Sequence, residues 1–161
     1  MIPEKVLTIE EASVLTSRLR KGSMSVSLVS GVFDIMHVGH LALFEEARKY
    51  GEALAVAVST DEQVRANKDP QRPITPLADR LRLLSHLVDV DFVFPQRTWY
   101  TEQLLREVLP TVYVFVPWRN KEHMGEFIKQ VEGLGVQLRQ VGLDTSKVSS
   151  TKLIALIERL C

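Results

Sequence analysis

The sequence predicts a doubly wound α/β architecture, a parallel sheet with helices on both faces, from three observations. Short apolar runs of strand composition alternate with amphipathic stretches of about 10–15 residues, the rhythm of βαβ units. One of these runs, Leu54–Ser59 (LAVAVS), is apolar or small throughout, as expected of a strand buried on both faces of a parallel sheet. The 161 residues are 45% hydrophobic, enough for one sizeable core without cross-links and the length of one domain.

Each element can be justified in order. Thr8-Ile9-Glu10-Glu11 has the form of a capping box, and Leu15 and Leu19 follow at helical spacing, so a helix is predicted over 9–21. It lies outside the βαβ rhythm, and residues 1–24 are expected to be an N-terminal helical appendage. Ser25–Ser30 (SVSLVS) reads as a strand ending at Gly31, and 39–50 as a helix with Leu43, Ala47 and Tyr50 on one face. After Leu54–Ser59, Thr60 and Asp61 suit a helix start. Thr75-Pro76 reads as an N-cap followed by proline at the first helical position, opening a helix to about Val88. Asp91–Phe94 is a short strand, 101–109 a helix that stops at Pro110, and Val112–Val116 (VYVFV) the clearest strand of the chain. A helix over 121–132, a break at Gly135, a strand over 136–141 and a last helix from about Ser150 to Leu160 complete the series. Five strands in this order make a five-stranded, Rossmann-like sheet within a single domain, 1–161.

Charge narrows the function classes. Twenty Lys+Arg balance twenty Asp+Glu, which argues against a nucleic-acid coat or a polybasic membrane binder. The single cysteine, Cys161, is the last residue, so no intramolecular disulfide forms. No apolar run is long enough to span a bilayer, and the start lacks the pattern of a signal peptide. The expectation is a soluble cytoplasmic protein with neither nucleic-acid nor membrane partners.

In open α/β sheets ligands bind beyond the carboxyl ends of the strands. After the first strand comes Gly31-Val32-Phe33-Asp34-Ile35-Met36-His37-Val38-Gly39-His40. Gly31 is expected to let the backbone turn sharply. His37 and His40 flank Gly39 at a helix start, where free N–H groups and the positive dipole end favour an anion. Two imidazoles there can donate to phosphate oxygens; equally, they can cap the helix or supply two ligands to a metal that needs more. After the second strand, Lys68 and Arg72 stand in a proline-bearing loop, positioned to meet a phosphate or simply solvated. Arg80 lies in the following helix, where a lone arginine is more often at the surface. Ser149-Ser150-Thr151 opens the last helix and can cap it or present hydroxyls to a phosphate.

These residues resemble the cytidylyltransferase-type nucleotidyltransferases. The family motif Gly-x-Phe-Asp-x-x-His-x-Gly-His is met by Gly31, Phe33, Asp34, His37, Gly39 and His40, and its late Ser-Ser/Thr-Thr motif by Ser149-Ser150-Thr151. Two branches come nearest. The amino-terminal helix and the stretch Arg65–Ile74 are similar to the domain that makes ADP-heptose from a heptose 1-phosphate. Ser59-Thr60-Asp61-Glu62 and Trp99 are similar to glycerol-3-phosphate cytidylyltransferase. The chain departs from both at Val116-Pro117-Trp118-Arg119, where a Gly-Asp segment is usual. It departs from the second at Tyr100-Thr101-Glu102-Gln103, which lacks an acceptor lysine, and at Asp144-Thr145-Ser146-Lys147.

The resemblance implies nucleotidyl transfer from an NTP to a phosphorylated sugar or alcohol with release of pyrophosphate. It slightly favours ATP and a sugar 1-phosphate, with CTP and a glycerol-3-phosphate-type acceptor as the alternative. It implies that His37 and His40 donate to the α- and β-phosphates, that Lys68 bridges acceptor and triphosphate, and that Val32 and Phe33 offer N–H groups. Gly31 and Gly39 leave room for phosphate, and Ser149, Ser150 and Thr151 hold the far phosphates. Asp34, Arg72, Arg80, Trp118 and Arg119 are placed on the acceptor side; Asp34 can orient a lysine or water, or cap the His37 turn, and Trp118 can equally be core. Mg²⁺ is expected to arrive on the NTP, with no protein side chain as its ligand, and a homodimer is common in the family. Readings of other classes are a nucleotide-binding sensor or subunit without catalysis and a metal-dependent hydrolase.

Overall fold

The computed structural model describes residues 5–116, 124–142 and 149–160. Its strands are β1 (Val26–Gly31), β2 (Ala53–Val58), β3 (Phe92–Pro95), β4 (Val112–Phe115) and β5 (Gln137–Gln140). They form one wholly parallel sheet in the order β3-β2-β1-β4-β5, as the strand–helix alternation predicts. The helices are α1 (Ile9–Lys21), α2 (Val38–Arg48), α3 (Asp61–Asn67), α4 (Leu77–Ser85), α5 (Thr101–Val108), α6 (Met124–Glu132) and α7 (Ser150–Leu160).

The period-2 geometry of a strand divides its side chains between two faces. On β2, Ala53, Ala55 and Ala57 look one way and Leu54, Val56 and Val58 the other, and all six are buried. The alanine face leaves room for Phe92 and Phe94 of β3 and for Tyr113 and Phe115 of β4, and it is covered by α1, α5 and α6. The branched face packs under α2 and α4 through Leu43, Phe44, Ala47, Leu81 and Leu84. Helices thus cover both faces.

α1 begins at the predicted capping box: Thr8 Oγ1 accepts from Glu11 N–H at 3.2 Å and Glu11 Oε2 from Thr8 N–H at 2.8 Å. Although it precedes the βαβ rhythm, Ile9 and Ala12 are part of the core, and Val6 bridges to Val93 at the β3 edge. One helix start is displaced from expectation. Thr75 is not the N-cap of α4, because its N–H is held by Asp34 Oδ1 at 2.8 Å and its carbonyl by Arg80 Nε at 2.9 Å. Pro76 is the N-cap instead, its carbonyl receiving Arg80 N–H. The helix also ends at Ser85 rather than near Val88, which is 91% exposed and has no core face to join.

The chain runs from β1 to β2 and β3 on one side, then returns to place β4 and β5 on the other. β1 and β4 therefore flank the topological switch point, where open α/β sheets form their crevice. Among the described residues no helix is long and apolar enough to cross a membrane.

Candidate active site

A cavity of about 290 Å³ opens at that switch point. It is lined by the segment after β1, the start of α2, Lys68 and Arg72, Val116 beyond β4, and Ser149-Ser150-Thr151. The structure thus brings together two sequence motifs more than a hundred residues apart.

The sharp turn after β1 lies at Phe33 and not, as expected, at Gly31. Phe33 has φ +51°, the left-handed region that costs a non-glycine residue about 1–2 kcal/mol. Gly31 serves the same turn differently. A Cβ there would lie 3.0 Å from the Phe33 ring, so the glycine makes room for the ring to fold back. That ring, 3% exposed, sits edge-on to His40 at 5.3 Å and against Phe44 at 5.4 Å. The N–H groups of Val32 and Phe33 find no acceptor among the described residues.

His37 and His40 form a capping box with each other. His37, the N-cap of α2, accepts Gly39 N–H on Nδ1 at 3.1 Å, and His40 Nδ1 accepts His37 N–H at 3.4 Å. The rings stack with centroids 3.9 Å apart. An Nδ1 that accepts carries no proton, so each neutral ring keeps its proton on Nε2. Burial lowers the His37 pKa. Burial, then the neighbouring His37 and Lys68, bring His40 down to about 4. The pair is therefore neutral at neutral pH. Capping and phosphate donation, which stand as alternatives in the sequence, are compatible here, because they use opposite nitrogens of the same rings.

Asp34 neither caps the His37 turn nor meets a lysine. Its Oδ2 accepts from Arg72 Nη2 at 2.9 Å and Nε at 3.2 Å, and its Oδ1 from Thr75 N–H. Burial alone would raise the carboxyl's pKa, but the Thr75 and Ile74 N–H groups and Arg72 outweigh it and hold it below the ordinary value. Arg72 also donates from Nη1 to Thr151 Oγ1 at 3.1 Å. Lys68 is exposed as a residue, and its ammonium makes no ion pair among the described residues. Crowding at the cleft wall and the Arg72 charge lower its pKa, against the pull of Asp34; an arriving phosphate favours the charged form.

Arg80 corrects the expectation of an acceptor contact. It is 0% exposed and donates to Val32 O at 2.5 Å, Ser59 O at 2.8 Å, Thr75 O and Asp61 Oδ1 at 2.6 Å. It ties the ends of β1 and β2 to α4 from beneath and does not line the cavity at the switch point. At α7, Ser149 Oγ accepts Lys152 N–H, as a cap does, and Ser150 Oγ donates to Ile35 O at 3.0 Å. Trp118 and Arg119 lie outside the described residues, as do Asp144–Lys147.

A second cavity of about 470 Å³ shares Ser30, Gly31, Val32 and Lys68 with the first. Its floor is neutral and hydrogen-bonding. Ser30 Oγ and Tyr113 Oη share a 2.7 Å bond, and Gln96 Nε2 donates to Ser59 Oγ at 3.0 Å; Trp99, Tyr100 and Thr101 form a further wall. The site reading from sequence omitted Ser30, Ser59, Gln96 and Tyr113. The first three stand at strand carboxyl ends, which the crevice rule could have flagged; Tyr113 is hidden within an apolar strand.

Among the described residues no three His, Cys, Asp or Glu side chains gather to hold a metal ion, and both oxygens of Asp34 are engaged. The described side chains alone therefore do not make a site for a hard cation such as Mg²⁺, which takes several oxygen ligands.

Comparison with known proteins agrees with this geometry. Residues 28–156 match the family model described as cytidylyltransferase-like. The chain is 34% identical over 151 residues to the bifunctional protein HldE of Desulfatibacillum aliphaticivorans, covering 93% of this chain and 30% of that one. It is 32% identical over 157 residues to HldE of Hahella chejuensis, covering 95% and 32%, so it spans about a third of the length of these relatives. Among solved structures it resembles a lipopolysaccharide core biosynthesis protein of Thermoplasma volcanium GSS1, with a TM-score of 0.65, 29% identity, and 74% of this chain and 98% of that one covered. With its fold and four-fifths of its length in agreement, the chain belongs to the cytidylyltransferase-like family of nucleotidyltransferases.

Proposed function

We propose that the protein transfers a nucleotidyl group from ATP to the phosphate of a sugar 1-phosphate, releasing pyrophosphate, as in ADP-heptose synthesis. The observation that carries this reading is the pair of cavities with Lys68 common to both. The histidine cavity suits a triphosphate: it is lined by both imidazoles, by Val32 and Phe33, whose N–H groups find no acceptor among the described residues, and by Thr151. The neighbouring cavity, with one cation and a floor of hydroxyl and amide groups, suits a singly phosphorylated polyol. The amino-terminal helix, the Lys68–Ile74 loop and the kinship with HldE favour the ADP-heptose branch over CTP and a glycerol phosphate, and the lipopolysaccharide-related neighbour agrees with a sugar acceptor.

In this mechanism an acceptor phosphate oxygen attacks the α-phosphorus in line. A new P–O bond forms there, the bond to the β-phosphate oxygen breaks, and the electron pair leaves on pyrophosphate. No protein nucleophile is needed, so the chain's work is positioning and charge stabilisation. Lys68 draws the two reacting phosphates together, and His37 and His40 donate from Nε2 to the leaving group. Mg²⁺, when bound, screens the triphosphate's charge.

The test is pyrophosphate release over a panel of ATP, CTP, GTP and UTP against sugar 1-phosphates and glycerol 3-phosphate. ATP with a sugar 1-phosphate should be the best pair, and His40→Ala should lower turnover by ~10²–10³ while the far-UV spectrum stays native. Best turnover with CTP and glycerol 3-phosphate would move the protein to the other branch. Nucleotide binding with no pyrophosphate from any pair would make it a sensor.

A further inference from the structure

Among the described residues, Arg72 is the one side chain that joins the segment after β1, the Lys68 loop and α7. Its Nε and Nη2 bond one oxygen of Asp34, and its Nη1 reaches Thr151 Oγ1 at 3.1 Å. The pair is enclosed, with side-chain exposures of 14% for Arg72 and 1% for Asp34. The other Asp34 oxygen takes Thr75 N–H, and Arg72 N–H bonds Asp69 O at 3.0 Å. The loop from Lys68 to Thr75 is thus pinned through Asp34 at its far end and by the Lys68 N–H on Val64 O, the end of α3, at its start, while the Lys68 ammonium itself makes no hydrogen bond or ion pair among the described residues. A hydroxyl has one proton. Because Arg72 donates into a lone pair of Thr151 Oγ1, the Thr151 proton must point elsewhere, and a cationic donor makes that O–H a stronger donor in turn. Ser150 differs, since its proton is directed to Ile35 O.

We propose that the Asp34–Arg72 pair is a positioning device: it holds the Lys68 loop across the histidine cleft and turns the Thr151 hydroxyl proton into that cleft. The consequence for catalysis rests on the nucleotidyl-transfer reading. Asp34 and Arg72, expected on the acceptor side, then act through Lys68 and Thr151 rather than by touching substrate.

The experiment compares Arg72→Gln, Arg72→Lys, Thr151→Val and the double variant R72Q/T151V, reading kcat and KM for the nucleotide, and amide exchange without substrate. A hydrogen bond involving a charged group corresponds to about 10- to 100-fold. Arg72→Gln and Thr151→Val should each lower kcat/KM by that order. The double variant should be little worse than Arg72→Gln, because one acts through the other. Arg72→Lys should not rescue, since an ammonium lacks the planar fork that spans Asp34 and Thr151. Exchange over 68–75 should rise in Arg72→Gln while α1 is unchanged. Wild-type turnover in Arg72→Lys would overturn the proposal in favour of a direct charge contact with substrate. So would multiplicative losses in the double variant, or unaltered exchange over 68–75. If the wild type releases no pyrophosphate, the transfer reading fails alone, and loop exchange still supports or overturns the positioning role.

Discussion

The neutral histidine pair predicts a stability difference that can be measured without knowing the substrate. His40 has its pKa lowered from 6.5 to about 4 in the fold, by burial first and then by His37 and Lys68. The unfolded chain therefore takes up a proton at a higher pH than the folded one. The stabilisation is fully present above pH 6.5 and is lost as the pH falls towards 4. The two values lie about 2.5 pH units apart, about 3 kcal/mol in the limit. By pH 5 the two-state titration removes about 2 kcal/mol of it. Urea unfolding of the wild type and His40→Asn at pH 7 and pH 5 isolates this side chain. The wild type should lose about 2 kcal/mol more than the variant between the two conditions. Asp34 does not confound the comparison: its carboxyl is held below its ordinary value of 3.8, so its contribution is lost only at more acid pH. His37 shifts in the same direction as His40 but is present in both proteins. Equal losses in wild type and variant would refute the claim that the fold keeps His40 neutral.

Two further outcomes follow from the residues beneath the site. Arg80→Met should destabilise the protein by about 3–5 kcal/mol, because it leaves Asp61 unpaired and three carbonyls without their donor; a loss under about 1 kcal/mol in urea unfolding contradicts the buried role. Gly31→Ala should displace the Phe33 ring and cost about 1–3 kcal/mol, and because that ring braces His40 it should also weaken nucleotide binding in a thermal-shift titration; native affinity at unchanged stability argues against the bracing.

What the sequence made legible was set by contiguity. His37, Gly39 and His40 lie within four residues of one another, and the α1 capping box is equally local, so residue type and spacing sufficed. The sheet was legible because β2 is apolar on both faces. Contacts that bridge distant segments were not. Asp34 looks like part of the histidine motif, yet its partners Arg72 and Thr75 arrive 38 and 41 residues later. Ser30 and Tyr113 meet across 83 residues, and Tyr113 reads as one more apolar residue of β4 until its hydroxyl is placed. Arg80 carried a surface expectation because arginine is seldom fully buried; only the convergence of three carbonyls from separate segments makes its burial tolerable.

The capping box also constrains how the site can handle charge. An imidazolium at His37 or His40 would need a proton on Nδ1, where Gly39 N–H or His37 N–H already donates, and so would open the first turn of α2. The fold therefore disfavours the charged form by geometry as well as by desolvation. Under the transfer reading, the histidines stabilise a departing pyrophosphate as neutral Nε2–H donors aimed in advance, and positive charge must come from elsewhere. Lys68 is the cation placed to supply it, facing both cavities with no carboxylate paired to it among the described residues. Arg72, by contrast, is already paired with Asp34, which suits it to fix the lysine's loop rather than to follow the moving phosphates. Turnover should accordingly persist well above pH 6.5, where an imidazolium-dependent enzyme would be losing its charged form. A steep fall in kcat across the ordinary histidine range that persists in Lys68 variants would show that the pair acts as a cation after all.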